Sequence, residues 1–378
     1  MKIKLILVIL TFVFLTLSCS SDNDSGSQPT GTITGKLMVK NGSKPVGGAL
    51  VFVQDDKSEI FYTYTDADGN FSFKAPVGPG TLQMQTGGGG NFRTSLSINV
   101  VKNHTLTIEP TLCRLEQVAN MAFVAGTYDS IQDIVTGLGY TIHQIQYNDL
   151  TNYAVISQYD VIFLNCGSKE GNSTTIDTNL ANFVTNGGSL YASDYSVAYL
   201  TGGALFSDIC GESGGFIPDD KLCAKNTGEE TTITGAQIIY PDLAASLGFS
   251  TLDIQYDLGW WEQINSCDST FWDILVTNPA NNQPLMIKTK NFSGGTVGNR
   301  VGDDDGWITI CHTDDSGTPI TITIQQSDWA EHEAHGDSLG SCTNANNSGT
   351  IYYTTFHNHA SGNIGNSGLI LEYVILNL

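Results

Sequence analysis

Basic residues are scarce in this chain, and long apolar segments are scarcer still. Its 378 residues include 16 lysines and arginines against 38 aspartates and glutamates, a formal net charge of −22. A surface of that sign repels nucleic acid and anionic lipid headgroups, so we expect no nucleic-acid partner. Beyond the first 17 residues no apolar run is long enough for a transmembrane helix, so no later segment is expected to cross a bilayer as a helix.

Charged side chains are also few, at 14% of the chain, whereas glycine, asparagine, serine and threonine are abundant. That balance is typical of a secreted protein that is rich in strands and loops rather than in helices. The length is sufficient for two domains. We therefore expect a multidomain, β-rich protein.

The N-terminus has the pattern of an export signal. Two lysines form a basic start, and an apolar run of thirteen residues (5–17) follows. That run fits a secretory signal and is too short to span a bilayer. Because a small residue then precedes Cys19, residues 1–19 resemble a bacterial lipoprotein signal, and the resemblance implies lipidation of Cys19. The alternative is an ordinary signal peptide that is cut nearby.

Residues 20–30 are polar, begin acidic and cannot pack, so we expect a flexible tether. An acidic start of this kind resembles the signals that send lipoproteins to the outer face of some Gram-negative bacteria. The expected location is therefore the outer membrane, exposed at the surface, with membrane contact only through the lipid anchor.

Eight cysteines are present, and seven remain if Cys19 carries lipid. Export makes disulfides possible, but an odd number leaves at least one thiol free or paired between chains. Cys166 ends the apolar run VIFLNC, and we expect it to be a buried free thiol of the core. Cys210 and Cys223 flank a loop of twelve residues that closes easily, so we expect them to pair.

Residues 31–112 break into short alternating apolar runs that are separated by turn residues and show no helical period. Seven such runs at roughly ten-residue spacing predict an all-β sandwich. The runs P-V-G-G-A-L-V from Pro45, T-D-A-D-G-N-F-S-F from Thr65 and P-V-G from Pro76 resemble the carboxypeptidase regulatory-like family. That resemblance implies a prealbumin-like sandwich that serves as a non-catalytic spacer.

From residue 113 to residue 378 the pattern changes to alternating strands and helices. The runs VANMAFVAG, YDVIFLNCG and SLYASDY are continuously apolar strands, the kind that is buried on both faces of a parallel sheet. Apolar residues at helical spacing follow the first two of them, at 131–138 and 176–184. The order predicts an α/β fold with a doubly wound parallel sheet, completed by the strand GTIYYTTFHNH and a C-terminal helix.

This order of elements resembles the class I glutamine amidotransferase-like fold over residues 115–206 and 349–378. In that family a nucleophilic cysteine ends the strand that corresponds to SLYASDY, but Ser193 and Asp194 stand there in this chain. The family's histidine corresponds to His357. The resemblance therefore implies the fold but not glutamine hydrolysis, because the nucleophile is missing.

The carboxyl edge of the predicted sheet is the best candidate for a small-molecule site, since ligands of open α/β sheets bind there. One interpretation is a hydrolase in which Ser193 or Asp194 acts with His357. The alternative, which we prefer, is that Asp194 and His357 form a structural hydrogen bond at the strand ends. The further residues expected to line this edge are Gly126, Tyr128, Asp129 and His359.

Residues 207–307 form a β-rich insertion between the fourth strand and the last one. Within it, Trp260 and Trp261 are adjacent aromatic residues that can stack on a sugar. Because side chains alternate along a strand, one tryptophan in the core beside an exposed one is the simpler interpretation.

Residues 308–343 hold a cysteine–histidine pair, a hairpin and the run H-E-A-H-G-D-S-L-G-S-C. The pattern resembles a short module that recurs in secreted bacterial proteins, and the resemblance implies no particular activity. A small segment without its own core needs a metal or a disulfide to hold it.

Two interpretations of this Cys/His module stay open. In the first, four side chains form a tetrahedral zinc site, with His312 as a spare ligand: Cys311, His332, His335 and Cys342. In the second, which an oxidising compartment favours, the two cysteines form a disulfide. The three histidines and Asp337 are then left to hold a weaker metal or to support the loop.

The function that these features favour is non-catalytic binding at the cell surface by a lipoprotein with a degenerate amidotransferase-like domain. The missing nucleophile, the spacer domain and the lipid tether support it. The rivals are a hydrolase at the sheet edge and a metal-dependent site in the Cys/His module, for which zinc would be the cofactor. The expected partner is a glycan or a protein of the cell envelope.

Overall fold

The computed structural model describes residues 28–86, 90–202, 215–290, 292, 306–314, 316–340, 342, 348–358 and 366–378. It is β-rich and contains several sheets, which confirms the expected fold class at that level. The described part of the chain contains no helix long and apolar enough to cross a membrane. Three residues named above fall outside the described ranges: Cys19, Cys210 and His359.

Eight strands form two sheets in the N-terminal part of the chain. They are β1 (Thr30–Lys36), β2 (Leu50–Gln54), β3 (Ile60–Tyr64), β4 (Asn70–Pro76), β5 (Gly78–Thr86), β6 (Phe92–Val100), β7 (Thr105–Thr107) and β8 (Glu116–Gln117). The strand orders are β4-β1-β7 and β3-β2-β5-β6-β8. Side chains alternate between core and solvent along β4, and both sheets contribute to one apolar core, as Phe71 and Val51 illustrate.

Fourteen further strands follow among the described residues. They are β9 (Met121–Val124), β10 (His143–Ile145), β11 (Val161–Leu164), β12 (Ser189–Ser193), β13 (Leu222–Asn226), β14 (Thr231–Ile238), β15 (Thr251–Tyr256), β16 (Glu262–Cys267), β17 (Trp272–Thr277), β18 (Pro284–Thr289), β19 (Trp307–Thr313), β20 (Pro319–Gln325), β21 (Ser338–Leu339) and β22 (Ile351–Thr354).

Seven α-helices within the described ranges connect or flank them. They are α1 (Ile131–Gly137), α2 (Tyr153–Ile156), α3 (Thr174–Thr185), α4 (Val197–Thr201), α5 (Pro241–Leu247), α6 (Trp329–His335) and α7 (Ser367–Asn377). Short 3₁₀ turns occur at Tyr147–Thr151, Asp194–Ser196 and Gln326–Asp328.

The central sheet has nine strands in the order β10-β9-β11-β12-β22-β18-β17-β14-β15. The first five are parallel to one another. Every residue of β11 and β12 is buried, because helices cover both faces of this parallel half. Ile162 packs on the face that carries α3, and Phe163 packs on the face that carries α1 and α7.

The other four strands of this sheet are antiparallel and come from the predicted insertion. The insertion therefore extends the central sheet, while β13 and β16 pair with each other in a separate two-stranded antiparallel sheet. Local periodicity does not encode which distant strands pair with each other. The sequence therefore indicated β structure here but not which strands would be neighbours in the sheet.

The Cys/His module contributes a small sheet in the order β20-β19-β21, and α6 lies between β20 and β21 along the chain. Its isoleucines pack against Phe52 and Ile60 of the N-terminal sheets in one buried cluster. Ser58 Oγ donates a hydrogen bond of 2.7 Å to the Glu331 carboxylate of α6. The module, which lies between β18 and β22 along the chain, thus packs against the N-terminal sheets.

Candidate functional site

A cavity of about 300 Å³ opens at the carboxyl edge of the parallel strands, and we call it the edge pocket. Residues that follow three of these strands line it: Tyr128 after β9, Asp194 after β12 and His357 after β22. The remaining lining residues are Tyr195, Tyr256, Leu258, Gly259, Trp260, Trp261, Thr355 and Phe356. The volume is at the lower end of the range for small-molecule sites.

Asp194 is held at the bottom of the edge pocket in a strained backbone conformation. Its φ is 44°, in the left-handed region that non-glycine residues avoid, and its residue surface is only 4% exposed. The Glu262 backbone N–H donates to its Oδ1 at 2.7 Å, and the Cys166 thiol donates to its Oδ2 at 3.4 Å. Strain of this kind persists only where the surroundings fix the residue, and it is concentrated at functional sites.

His357 is the second polar group of the pocket floor and is 5% exposed. Its Nε2 lies 3.6 Å from Asp194 Oδ2, slightly beyond ordinary hydrogen-bond length. Burial opposes the charged imidazole and lowers the His357 pKa, but Asp194 and then Asp129 outweigh burial. The net effect is a His357 pKa raised above its ordinary value.

Ser193 lies beneath the floor and does not line the pocket. It is fully buried, its Oγ donates to Asp129 Oδ2 at 2.5 Å, and the Cys166 backbone N–H donates to the same Oγ at 3.0 Å. Asp129 is 2% exposed and also accepts the Asn358 backbone N–H at 3.1 Å. Burial raises the Asp129 pKa. Both side chains therefore tie the loops together instead of facing a ligand.

Gly126 has a similar positioning role. A β-carbon at this position would lie 2.1 Å from the Cys166 carbonyl oxygen, so only glycine lets the loops after β9 and β11 approach this closely. That approach brings Tyr128 to the pocket wall, where its ring meets the edge of Tyr195 at a centroid distance of 6.0 Å.

Cys166 is a fully buried free thiol, as the sequence predicted. Burial and then the neighbouring Asp194 raise its pKa well above the ordinary value. The sequence did not indicate that its sulfur would lie beside Asp194 and His357. The available signal was that Cys166, like those two residues, follows the carboxyl end of a predicted parallel strand.

The tryptophan pair forms the outer wall of the pocket. Trp261 is 5% exposed and stacks on Tyr256 with a centroid distance of 3.8 Å, while Trp260 is 70% exposed. The expected alternation of one buried and one exposed tryptophan is confirmed. Trp260 also has a φ of 69°, and its backbone N–H donates to the Gly228 carbonyl at 2.6 Å.

The Cys/His module has a disulfide between Cys311 and Cys342, which confirms that pairing. The joined sulfurs are not thiolate ligands, so the four-ligand zinc interpretation does not describe this structure. Of the second expected pair, Cys223 is disulfide-bonded, while Cys210 lies outside the described residues.

The histidines of the module divide into two buried ones and an exposed one. Nδ1 of His312 and Nδ1 of His332 lie 2.8 Å and 2.7 Å from the same Asp337 oxygen, whereas His335 points to solvent. Burial raises the Asp337 pKa, but its hydrogen bonds with the two histidines outweigh burial, so the net Asp337 pKa is lowered. We call His312, His332 and Asp337 the module cluster.

No protein-family model and no curated protein matches this chain. Among solved structures, the mmIFT52 N-terminal domain is similar at 9% identity and a TM-score of 0.35, over 47% of this chain and 84% of that one. A DUF3823 family protein from Parabacteroides merdae is similar at 17% identity and a TM-score of 0.19, over 25% of this chain and 49% of that one. Likeness at these scores defines neither the fold nor the function.

Proposed function

We propose that this chain is a non-catalytic binding protein of the cell surface whose edge pocket takes a neutral saccharide. The observation that carries the proposal is Trp260, a large apolar side chain that is 70% exposed on the wall of a cavity. A tryptophan this exposed does not stabilise the core, and its backbone conformation is strained. An aromatic face beside a few fixed polar groups is the composition of a ligand site.

The floor of the pocket supports a polyhydroxyl ligand rather than a purely apolar one. Asp194 accepts hydrogen bonds from hydroxyl groups, and the His357 imidazole offers a donor. Trp260 and Tyr128 provide ring faces for the apolar side of a sugar ring.

Charge favours a neutral sugar over an acidic one. Asp194 lies at the floor with Asp129 just beneath it, and the chain carries a net charge of −22. An anionic ligand would be desolvated next to these carboxylates, and His357 alone would not compensate for both.

The experiment is calorimetric titration of residues 20–378 with glucose, galactose, mannose and N-acetylglucosamine, beside glucuronic and sialic acid. We expect binding of at least one neutral sugar and a loss of about tenfold or more in affinity for Trp260→Ala. Tyr64→Ala is the matched control, because Tyr64 is an aromatic residue with 54% exposure that does not line the pocket. Equal affinity of Trp260→Ala and the parent protein would refute the proposal.

A hydrolase is the second candidate function, and one observation favours it. Asp194 combines a φ of 44° with a position 3.6 Å from His357, as a strained carboxylate nucleophile beside its base would. Ser193 is a poorer nucleophile candidate, because it is fully buried and its Oγ is engaged by Asp129 and Cys166. Turnover of p-nitrophenyl esters or glycosides that Asp194→Asn abolishes would favour this candidate over simple binding.

The cell-envelope part of the proposal is supported by the N-terminal sequence. A basic start, a short apolar run and Cys19 support a lipoprotein on the outer membrane, with the N-terminal sheets as a carboxypeptidase regulatory-like spacer. The amidotransferase-like assignment is supported by parallel strands with helices on both faces. Labelled palmitate should enter the parent chain and not Cys19→Ala when both are expressed in a Gram-negative host.

A further inference from the structure

We infer that Cys166, Asp194 and His357 bind one divalent transition-metal ion of the zinc type at the floor of the edge pocket. We call these three residues the floor cluster. Each residue follows the end of a different parallel strand: β11, β12 and β22, which are neighbours in the sheet. The site therefore arises from the topology and not from a local sequence motif.

The spacing of the three donor atoms is the first argument. Asp194 Oδ2 lies 3.4 Å from Cys166 Sγ and 3.6 Å from His357 Nε2, and all three atoms fall within 4.8 Å of one another. Zinc binds sulfur at about 2.3 Å and nitrogen or oxygen at about 2.0–2.2 Å, so tetrahedral neighbours lie about 3.4–3.6 Å apart. The two separations from Asp194 Oδ2 agree with that geometry.

The same comparison of ligand-atom distances makes the module cluster a poorer zinc site than the floor cluster. There the nitrogen–oxygen separations are 2.7 and 2.8 Å, which are hydrogen-bond lengths and shorter than the spacing of two ligands of one tetrahedral ion. Both Nδ1 atoms face one carboxylate oxygen, and a carboxylate only accepts hydrogen bonds. Each imidazole therefore donates an Nδ1–H hydrogen bond to Asp337.

The chemistry of the floor cluster fits a divalent ion. A thiolate, a carboxylate and a neutral imidazole bring two negative charges, which neutralise one divalent cation in a buried position. The thiol gives up its proton when the metal binds, and the ion compensates for the burial that otherwise keeps the thiol protonated.

The donors are already oriented by hydrogen bonds from outside the cluster. The Glu262 N–H fixes Oδ1 of Asp194 and leaves Oδ2 towards the sulfur and the imidazole. Ser193 Oγ holds the backbone of Cys166 and is itself held by Asp129. Such a supporting layer is what metal ligands require.

Three protein ligands leave one position of a tetrahedral ion open. Asp194 and His357 line the edge pocket while Cys166 lies behind them, so the open position faces the pocket. Metal binding does not depend on the saccharide proposal. When the metal is bound, the ion replaces the Asp194 carboxylate as the group that meets a ligand hydroxyl.

The test is titration of chelator-treated residues 20–378 with Co²⁺ and then Zn²⁺, without saccharide. We expect one equivalent of Co²⁺ with a thiolate-to-cobalt charge-transfer band, which one equivalent of Zn²⁺ removes. Cys166→Ser should abolish the band and weaken Zn²⁺ binding by at least about tenfold, and His357→Gln should also weaken binding and shift the spectrum.

Three variants are matched controls: Cys267→Ser and Cys113→Ser change the other free cysteines that the structure describes, and His332→Gln disrupts the module cluster. All three should keep the band. The inference is overturned if Co²⁺ does not bind, or if the band survives Cys166→Ser and disappears in a control variant. Thermal unfolding of the metal-free variants checks their folding, and His357→Gln carries the test if Cys166→Ser does not fold.

Sugar titrations with chelator and with Zn²⁺ separate the two proposals. Saccharide binding that depends on Trp260 but occurs without any metal uptake would overturn the metal inference alone. Metal uptake through Cys166 without binding of any sugar would overturn the saccharide proposal alone.

Discussion

The floor cluster and the module cluster contain similar donors, yet the structure arranges them in opposite ways. The module cluster is closed by two short contacts, 2.8 Å and 2.7 Å, from imidazole nitrogens to one Asp337 oxygen. In the floor cluster the contacts to Asp194 are 3.4 and 3.6 Å, and two of the three residues line a cavity. The sequence pointed to the module for a metal, because its histidines and cysteines are close along the chain.

This difference shows that the distances between possible metal-ligating atoms are more informative about metal binding than the number of such atoms. Short contacts satisfy the protons of the two imidazoles and make the module cluster a structural support. In the floor cluster, the 3.4 Å thiol hydrogen bond and the 3.6 Å imidazole contact to Asp194 both match the spacing of ligands around one tetrahedral ion. Each of the following predictions tests whether the two clusters differ in this way.

The largest effect is expected from loss of the disulfide next to the module cluster. Cys311 and Cys342 are 31 residues apart, and closing a loop of that length contributes about 3.5–4 kcal/mol in the chain-entropy model. The double variant Cys311→Ser/Cys342→Ser should lower the free energy of unfolding by this amount in urea denaturation. Its Co²⁺ spectrum should equal that of the parent protein. A lost spectrum would mean that the two clusters are not independent.

Asp337→Ala should have the next largest effect. The Asp337 side chain is 2% exposed and accepts from two buried imidazoles, so its removal leaves two buried donors without their acceptor. We expect a loss of about 2–3 kcal/mol in the free energy of unfolding. Glu333→Ala, an exposed carboxylate of α6, should change it by less than about 0.5 kcal/mol. Equal values for both variants would show that the module cluster does not support the fold.

Acid should weaken the module cluster with a definite sign. The Asp337 pKa is lowered in the folded state, so its contribution is fully present above the unfolded value of about 3.9. It is lost as the pH falls through the lowered folded value. Urea midpoints of the parent protein and of Asp337→Asn, measured down to about pH 2, should therefore converge on acidification. A constant difference would contradict the assignment.

Local pattern was sufficient for individual elements of the structure. The apolar run VIFL became β11, and every one of its residues is buried. The helical spacing from Ile176 to Val184 became α3, whose N-cap Ser173 accepts from the Ile176 backbone N–H. These features depend on neighbours within a few residues, so periodicity predicts them.

The floor cluster could not be predicted in the same way, because its residues come from positions 166, 194 and 357. Cys166 was recognised as a buried thiol, but its neighbours depend on the order of β11, β12 and β22 in the sheet. The rule that functional groups gather at carboxyl ends of parallel strands identified Asp194 and His357. Applied to every such strand, it would have added Cys166.

The smallest stability effect in this comparison is expected from zinc. An ion that binds only the folded chain adds about 1.4 kcal/mol to the free energy of unfolding at ten times its dissociation constant. Thermal unfolding should show this gain for the parent protein and for Asp337→Asn, but not for Cys166→Ser. The two variants form a matched pair, since each replaces one buried donor of one cluster with a side chain of nearly equal size. A gain that disappears in Asp337→Asn and persists in Cys166→Ser would assign the metal to the module cluster instead. The short contacts between its imidazoles and Asp337 would then have to lengthen to admit the ion.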